Sequence, residues 1–138
     1  MTPDHMVAQL RQAVDEHDLE ALVDCFTDDY RNETPAHPGR GFVGRDQVRT
    51  NWQRIFTGVP DITAEVVRTA VSGDVVWSEW EMRGTRPDGT PHLLRGVIVF
   101  GVTDGRASWA RFYLEPVDDG EGGVNAAIGE IVDRSASQ

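Results

Sequence analysis

The residues best equipped for chemistry lie in the stretch WSEWEMRGTRPDGTPHLLRG, Trp77 to Gly96. Side chains alternate faces along a strand, so Trp77, Glu79, Glu81 and Arg83 share one face while Val76, Ser78, Trp80 and Met82 share the other. Neighbours on one face stand ~7 Å apart, close enough to share a proton or to be bridged by the arginine. Carboxylates crowded into an apolar cavity have raised pKa values. One can then act as a base and the other as an acid near neutral pH. In that setting Glu81 is the expected base, Glu79 its partner and Arg83 the charge that holds them. On a wetted face the same groups are surface ion pairs worth roughly 0–1 kcal/mol.

Which face looks inward depends on the turn at Pro87-Asp88-Gly89. A three-residue loop with Gly89 left-handed pairs Arg86 with Thr90 and sets Glu81 across from Arg95. Trp80, Met82, Leu94, Ile98 and Phe100 then form an apolar inner face. A four-residue loop, or a bulge after it, pairs Arg86 with Pro91 and sets Glu81 across from Gly96 and Glu79 across from Ile98. One residue of slip exchanges the faces. Pro91 supplies no N–H, which weighs against the regular three-residue hairpin.

The elements that must position these residues follow from periodicity. Met6 or Val7, Leu10 and Val14 are at helical spacing within Asp4 to His17. A second helix begins at Asp18, with Leu19, Leu22, Val23 and Phe26 as its stripe and Cys25 packed beside them. TDDYRNETPAHPGRGFVG reads as a short strand and a loop rich in Pro and Gly. GRDQVRTNWQRIFTGVP reads as a third helix burying Val48, Trp52, Ile55 and Phe56. Strands are expected over Ile62 to Val71, Val75 to Thr85, His92 to Thr103 and Ala107 to Pro116, joined by short turns as an antiparallel meander. Helices first and sheet afterwards make an α+β domain, the helices packed on one face of a curved sheet. Residues 1–117 form this domain. Residues 118–138 are an acidic, Gly-rich tail in which Val124 to Val132 is a possible short helix weakened by Gly129.

The chain has 138 residues and a formal charge of -10, and all of its basic residues are arginine apart from His. An acidic surface repels phosphate backbones, so nucleic acid is not an expected partner. No apolar run is long enough to span a bilayer. The N-terminus lacks the apolar core of a signal peptide, and the single cysteine excludes an intramolecular disulfide, so a cytoplasmic location is expected. A metal site built from Glu79, Glu81 and His92 is set aside, because no compact ligand motif is present. His5, His17 and His37 read as surface residues.

The order of elements resembles the nuclear transport factor two-like superfamily, specifically its SnoaL-like branch. HDLEALVDCFTDDY, the GRDQVR helix start, EWEMRGT and GVIVFGVTDGRASWARFYLE carry the resemblance, which spans about residues 2 to 117. It implies a cone: a curved antiparallel sheet wrapped around three N-terminal helices, with a pocket between them. It also implies chemistry without a cofactor on a small, largely apolar organic molecule, and a homodimer through the outer sheet face. The fold alone supplies no reaction. The base, Tyr and acid of ketosteroid isomerase fall on Thr34, Ala13 and Ile98, so that isomerase chemistry is not expected in its known form. The Arg and two Asp of limonene epoxide hydrolase fall on Glu79, Glu81 and Phe112, and its water-holding Tyr and Asn on Asn32 and Thr34. Only one carboxylate, as Glu81, is retained.

Spacing in the resembled family favours the second register, with Glu79, Glu81, Leu94, Gly96, Ile98 and Phe112 lining the pocket. Gly96 then leaves room for a ligand. The outer face would carry Trp80, Met82, Val97, Val99, Trp109 and Tyr113 into the dimer. The remaining expected pocket residues are Asn32, Thr34, Trp52, Phe56, Trp77 and His92, with Asn32 holding water or orienting the ligand. An enzyme using pocket carboxylates for hydrolysis, isomerisation or cyclisation is the leading expectation. A binding or oligomerisation module without turnover is the alternative.

Overall fold

The computed structural model describes residues 2–120 and 122–133. Helix α1 (Pro3–Glu16) starts on a proline, whose missing N–H costs nothing in the first turn. It ends at His17, whose left-handed backbone (φ 54°) returns its N–H to Ala13 and Val14. Asp18 caps α2 (Leu19–Asp24) by accepting from the Ala21 N–H at 3.1 Å. Strand β1 (Phe26–Glu33), a single 3₁₀ turn (Pro38–Arg40) and β2 (Phe42–Val43) lead into α3 (Arg45–Gly58). Strands β3 (Thr63–Ser72), β4 (Val75–Thr85), β5 (Pro91–Thr103) and β6 (Arg106–Pro116) follow, and α4 (Val124–Val132) comes after them.

The six strands form one curved, unclosed sheet in the order β2-β1-β6-β5-β4-β3. The meander β3 to β6 is antiparallel, and β1 joins β6 in parallel. Met6, Val7, Leu10, Ala13 and Val14 of α1 are buried with Leu22, Val76, Trp80 and Phe100 in one core. Helix α3 differs. Only Val48 is fully buried, and Trp52, Ile55 and Phe56 remain half-buried, because α3 packs mainly on α2 and β1. Helix α4 is exposed along its length, Val124, Ile128, Ile131 and Val132 included. Among the described residues no helix is long and apolar enough to cross a membrane.

The β4–β5 hairpin takes the three-residue loop, which corrects the favoured register. Gly89 is left-handed (φ 86°), its N–H bonds the Arg86 carbonyl at 2.8 Å, and the Arg86 N–H bonds the Thr90 carbonyl at 2.9 Å. Asp88 reinforces the turn by accepting from the Thr90 N–H at 3.0 Å and its hydroxyl at 2.6 Å. Glu81 therefore stands across from Arg95, and Gly96 across from Trp80. Pro91 faces Thr85 one step from the bonded Arg86–Thr90 pair. By the alternation of an antiparallel ladder that position asks no N–H from Pro91 toward β4.

This register is held from inside. Trp80, 1% exposed, donates its indole N–H to the Ser78 hydroxyl at 2.8 Å, and Ser78 donates to the Ile98 carbonyl at 2.7 Å. Trp80 and Met82 are thus core residues and do not belong to the outer face. Gly96 is not a vacancy for a ligand: a side chain there would collide with the Tyr113 carbonyl, since β6 passes directly against it. Ser78→Ala leaves the buried Trp80 indole N–H without a partner, while the Ile98 carbonyl keeps its ladder bond, with an expected cost of about 1–3 kcal/mol in urea unfolding. Glu79→Gln on the opposite face costs about 0–1 kcal/mol. The reverse order of these two losses would contradict the register.

Candidate functional site

The chemistry expected of Glu79, Glu81 and Arg83 has no cavity to act in. All three project from the outer face of β4, away from the helices. Glu79 pairs with Arg68 at 2.9 Å and is 42% exposed, while Arg83 is 60% exposed. Glu81 is screened to 14% by two arginines, Arg83 and Arg95, the latter at 3.3 Å. Trp77 shares this face and is 51% exposed, so it too is removed from the pocket. The physical reason is parity: one residue of register moves the whole set from one face to the other. The metal trio set aside above is also split, because His92 lies on the inner face and the glutamates on the outer one.

A cavity of about 300 Å³ opens between α3, β1, the segment from Thr34 to Phe42 and the inner faces of β5 and β6. Of the expected pocket residues, Asn32, Thr34, Trp52, His92, Leu94 and Phe112 line it. Phe56 does not line it; it stacks on His17 with ring centroids 4.9 Å apart. Ile98 is packed into the core, 1% exposed. Tyr30, Arg40 and Asn51 are cavity residues that sequence reasoning left unmarked, and Met82, expected on the outer face, lines the cavity instead. Tyr30 was detectable, since it lies two residues before Asn32 and so shares its face. Arg40 sits in an aperiodic loop, where no pattern marks it.

The wall is mostly apolar, with polar groups of graded exposure. Tyr30, 1% exposed, donates its hydroxyl to Asn32 Oδ1 at 2.8 Å. Burial pushes the phenol pKa far above its ordinary value, so Tyr30 remains a donor. With Oδ1 taken, Asn32 offers its amide hydrogens. Asn32 and Thr34 are both buried, at 8% and 9% exposure. His92 is half-buried, and its pKa is lowered first by burial and then by the charge of Arg86. It is therefore a neutral imidazole at pH 7. No Asp or Glu lines the cavity among the described residues.

The segment carrying Arg40 is tied down. The His37 N–H bonds the Thr34 carbonyl at 2.7 Å, the Arg40 N–H bonds the His37 carbonyl at 2.9 Å, and the His37 ring meets Glu115 at 3.0 Å. Glu115 lies across from Arg95 on the outer face of β6, opposite in direction to Phe112.

A cone of this topology around such a cavity defines a class. The model of the SnoaL-like domain matches residues 7–110, and the chain belongs to that family, within the nuclear transport factor two-like fold. Among solved structures it is similar to IdmH of Streptomyces antibioticus, assigned as a candidate polyketide cyclase, at 25% identity and TM-score 0.72 over 83% of this chain and 93% of that one. It is also similar to SalBIII, an epoxide hydrolase/cyclase-like enzyme of pyran ring formation in the polyether salinomycin, at 23% identity and TM-score 0.71 over 83% and 90%. A third is RV0760c of Mycobacterium tuberculosis, in complex with estradiol-17β-hemisuccinate, at 20% identity and TM-score 0.70 over 82% and 94%. No functionally curated protein matches the chain.

The lowered pKa of His92 sets a sign for stability. The unfolded imidazole takes a proton near pH 6.5 and the folded one only at lower pH. Its contribution is therefore intact above pH 6.5 and is lost as pH falls through that value. Urea unfolding of His92→Gln between pH 7.5 and 5 is expected to lose less stability on acidification than the parent. An equal or steeper loss in the variant would contradict a neutral His92.

Proposed function

We propose that the cavity receives a small, largely apolar organic molecule. We propose too that the protein is an enzyme of the SnoaL-like type that moves a proton with neutral groups. The observation that carries this reading is the make-up of the wall: apolar side chains from α3, β5 and β6 surround one neutral imidazole and two amides, those of Asn32 and Asn51, whose oxygens already accept and whose hydrogens are free to donate. His92 takes a proton from carbon next to a substrate carbonyl, and the electron pair shifts onto the carbonyl oxygen. The Asn32 amide, held by Tyr30, donates to that oxygen as its charge grows. His92 then returns the proton to carbon or oxygen. Such an enolisation underlies both isomerisation and ring closure. The acids of β4 take no part. The ligand in RV0760c and the ring-forming role of SalBIII support an apolar, carbonyl-bearing or cyclising substrate for this fold. We place the protein in the cytoplasm, where its buried Cys25 remains a thiol.

Hydrogen–deuterium exchange at the acidic carbon of cyclic 1,3-diketones, followed by NMR in D₂O, tests the reaction without naming the natural substrate. The expected result is acceleration over buffer that falls by about 10²–10⁴-fold in His92→Gln. In Asn32→Leu it falls by about 10²-fold. The absence of any carboxylate from the wall among the described residues favours a second reading, ligand binding without turnover. Saturable diketone binding with no exchange above buffer, or exchange indifferent to His92, would decide for it.

We further propose a homodimer through the outer sheet face. With Trp80, Met82 and also Val99 buried, that face presents Trp77, Val97, Trp109 and Tyr113, beside the paired charges of β4. Isolated apolar residues need no partner, but a contiguous patch does. Val97→Arg is expected to convert a dimer to a folded monomer in light scattering. A parent protein that is already monomeric at 100 μM (an order-of-magnitude concentration, about that of a typical scattering sample) would contradict the proposal.

A further inference from the structure

Resting on the reading that the cavity binds an apolar molecule, we infer that this molecule carries one carboxylate, which seats on the guanidinium of Arg40. The first observation is charge. The chain carries a net -10, yet among the described residues the cavity is lined by one arginine and one histidine and by no acid. The second is pairing. Most arginines of the described chain have a carboxylate within 4.0 Å, as in Arg11–Asp15, Arg45–Asp28, Arg68–Glu79 and Arg106–Asp24. Arg40 has none among the described residues; the same holds for Arg31, Arg54 and Arg86, but of these four Arg40 alone lines the cavity. One guanidinium without an acid partner among the described residues thus stands at this opening, and the charge of Arg86 reaches its His92.

The third observation is position. Arg40 is exposed, while Tyr30, Asn32 and Thr34 are buried. An anion placed among those neutral groups would lose its water with no opposite charge in return, which is unfavourable. At the rim it keeps part of its water and gains a forked, charge-assisted pair with the guanidinium. Trp52, Leu94, Phe112 and Leu114 then cover the apolar body. The bonds that tie the Thr34–Arg40 backbone hold the arginine there before the ligand arrives, so less freedom is lost on binding.

The test compares naphthylacetate with naphthylacetamide, which share a skeleton and differ in charge, by calorimetry against the parent, Arg40→Gln and Arg40→Lys. Arg40 is exposed, and unchanged thermal unfolding of the variants confirms an intact fold. The expected result is that the parent binds the acid about tenfold or more tighter than the amide. Arg40→Gln should remove that preference while leaving amide binding unchanged, and Arg40→Lys should restore part of it. Equal binding of acid and amide by the parent, or an acid preference that survives Arg40→Gln, overturns the inference while leaving the cavity as a binding site. If neither compound binds, the cavity reading fails and this inference fails with it.

Discussion

One left-handed residue governs this protein. Gly89, with the Asp88 side chain folded over Thr90, closes the β4–β5 hairpin after three residues and so fixes which face of β4 meets the helices. A hairpin register is a two-valued choice, because side chains alternate. Once it is made, Ser78 satisfies the Trp80 indole and the Ile98 carbonyl together, and Met82 reaches the cavity wall. Glu79 and Glu81 go to the outer face, where Arg68, Arg83 and Arg95 meet them. Among the described residues, the cavity is left without a carboxylate by the same decision that fills the core.

The helices, the meander and the inward face of β5 and β6 were legible in the sequence, because each rests on a periodic apolar pattern several residues long. Leu94, Ile98 and Phe112 all point inward as their spacing indicates, and Asn32 of the first strand and Thr34 just after it reach the cavity. The face of β4 was not legible in the same way. Both of its faces carry tryptophan, so composition does not choose between them. The choice rested on spacing in relatives and on Pro91, and both were outweighed by local chemistry. Pro91 falls at a ladder position that asks nothing of its missing N–H toward β4, and the glycine turn is favoured by Asp88. Arg40 was invisible for another reason: loops have no period, and only the folded backbone brings that residue to the rim.

The consequence for chemistry is a change of agents. A pair of crowded glutamates would have given a charged, strongly coupled site. The cavity instead has a half-buried neutral imidazole, an amide oriented by a buried phenol and, at its edge, a guanidinium with no acid partner among the described residues. Such groups suit the handling of a carbonyl compound with little net charge change inside the cavity. They place the one full charge where water can still reach it. Helix α3 contributes by what it does not bury. Trp52 and Ile55 stay half-exposed because α3 is anchored on α2 and β1, and the space so left beneath it is the site.

The register can be measured directly in solution. In a non-bonded antiparallel pair the two α-carbons approach to about 4.5 Å, which brings their α-hydrogens into NOE range. The structure calls for α-hydrogen NOEs between Glu81 and Arg95 and between Arg83 and Leu93. An NOE from Glu81 to Gly96 in place of these would put both glutamates back under the helices and undo the account of the site.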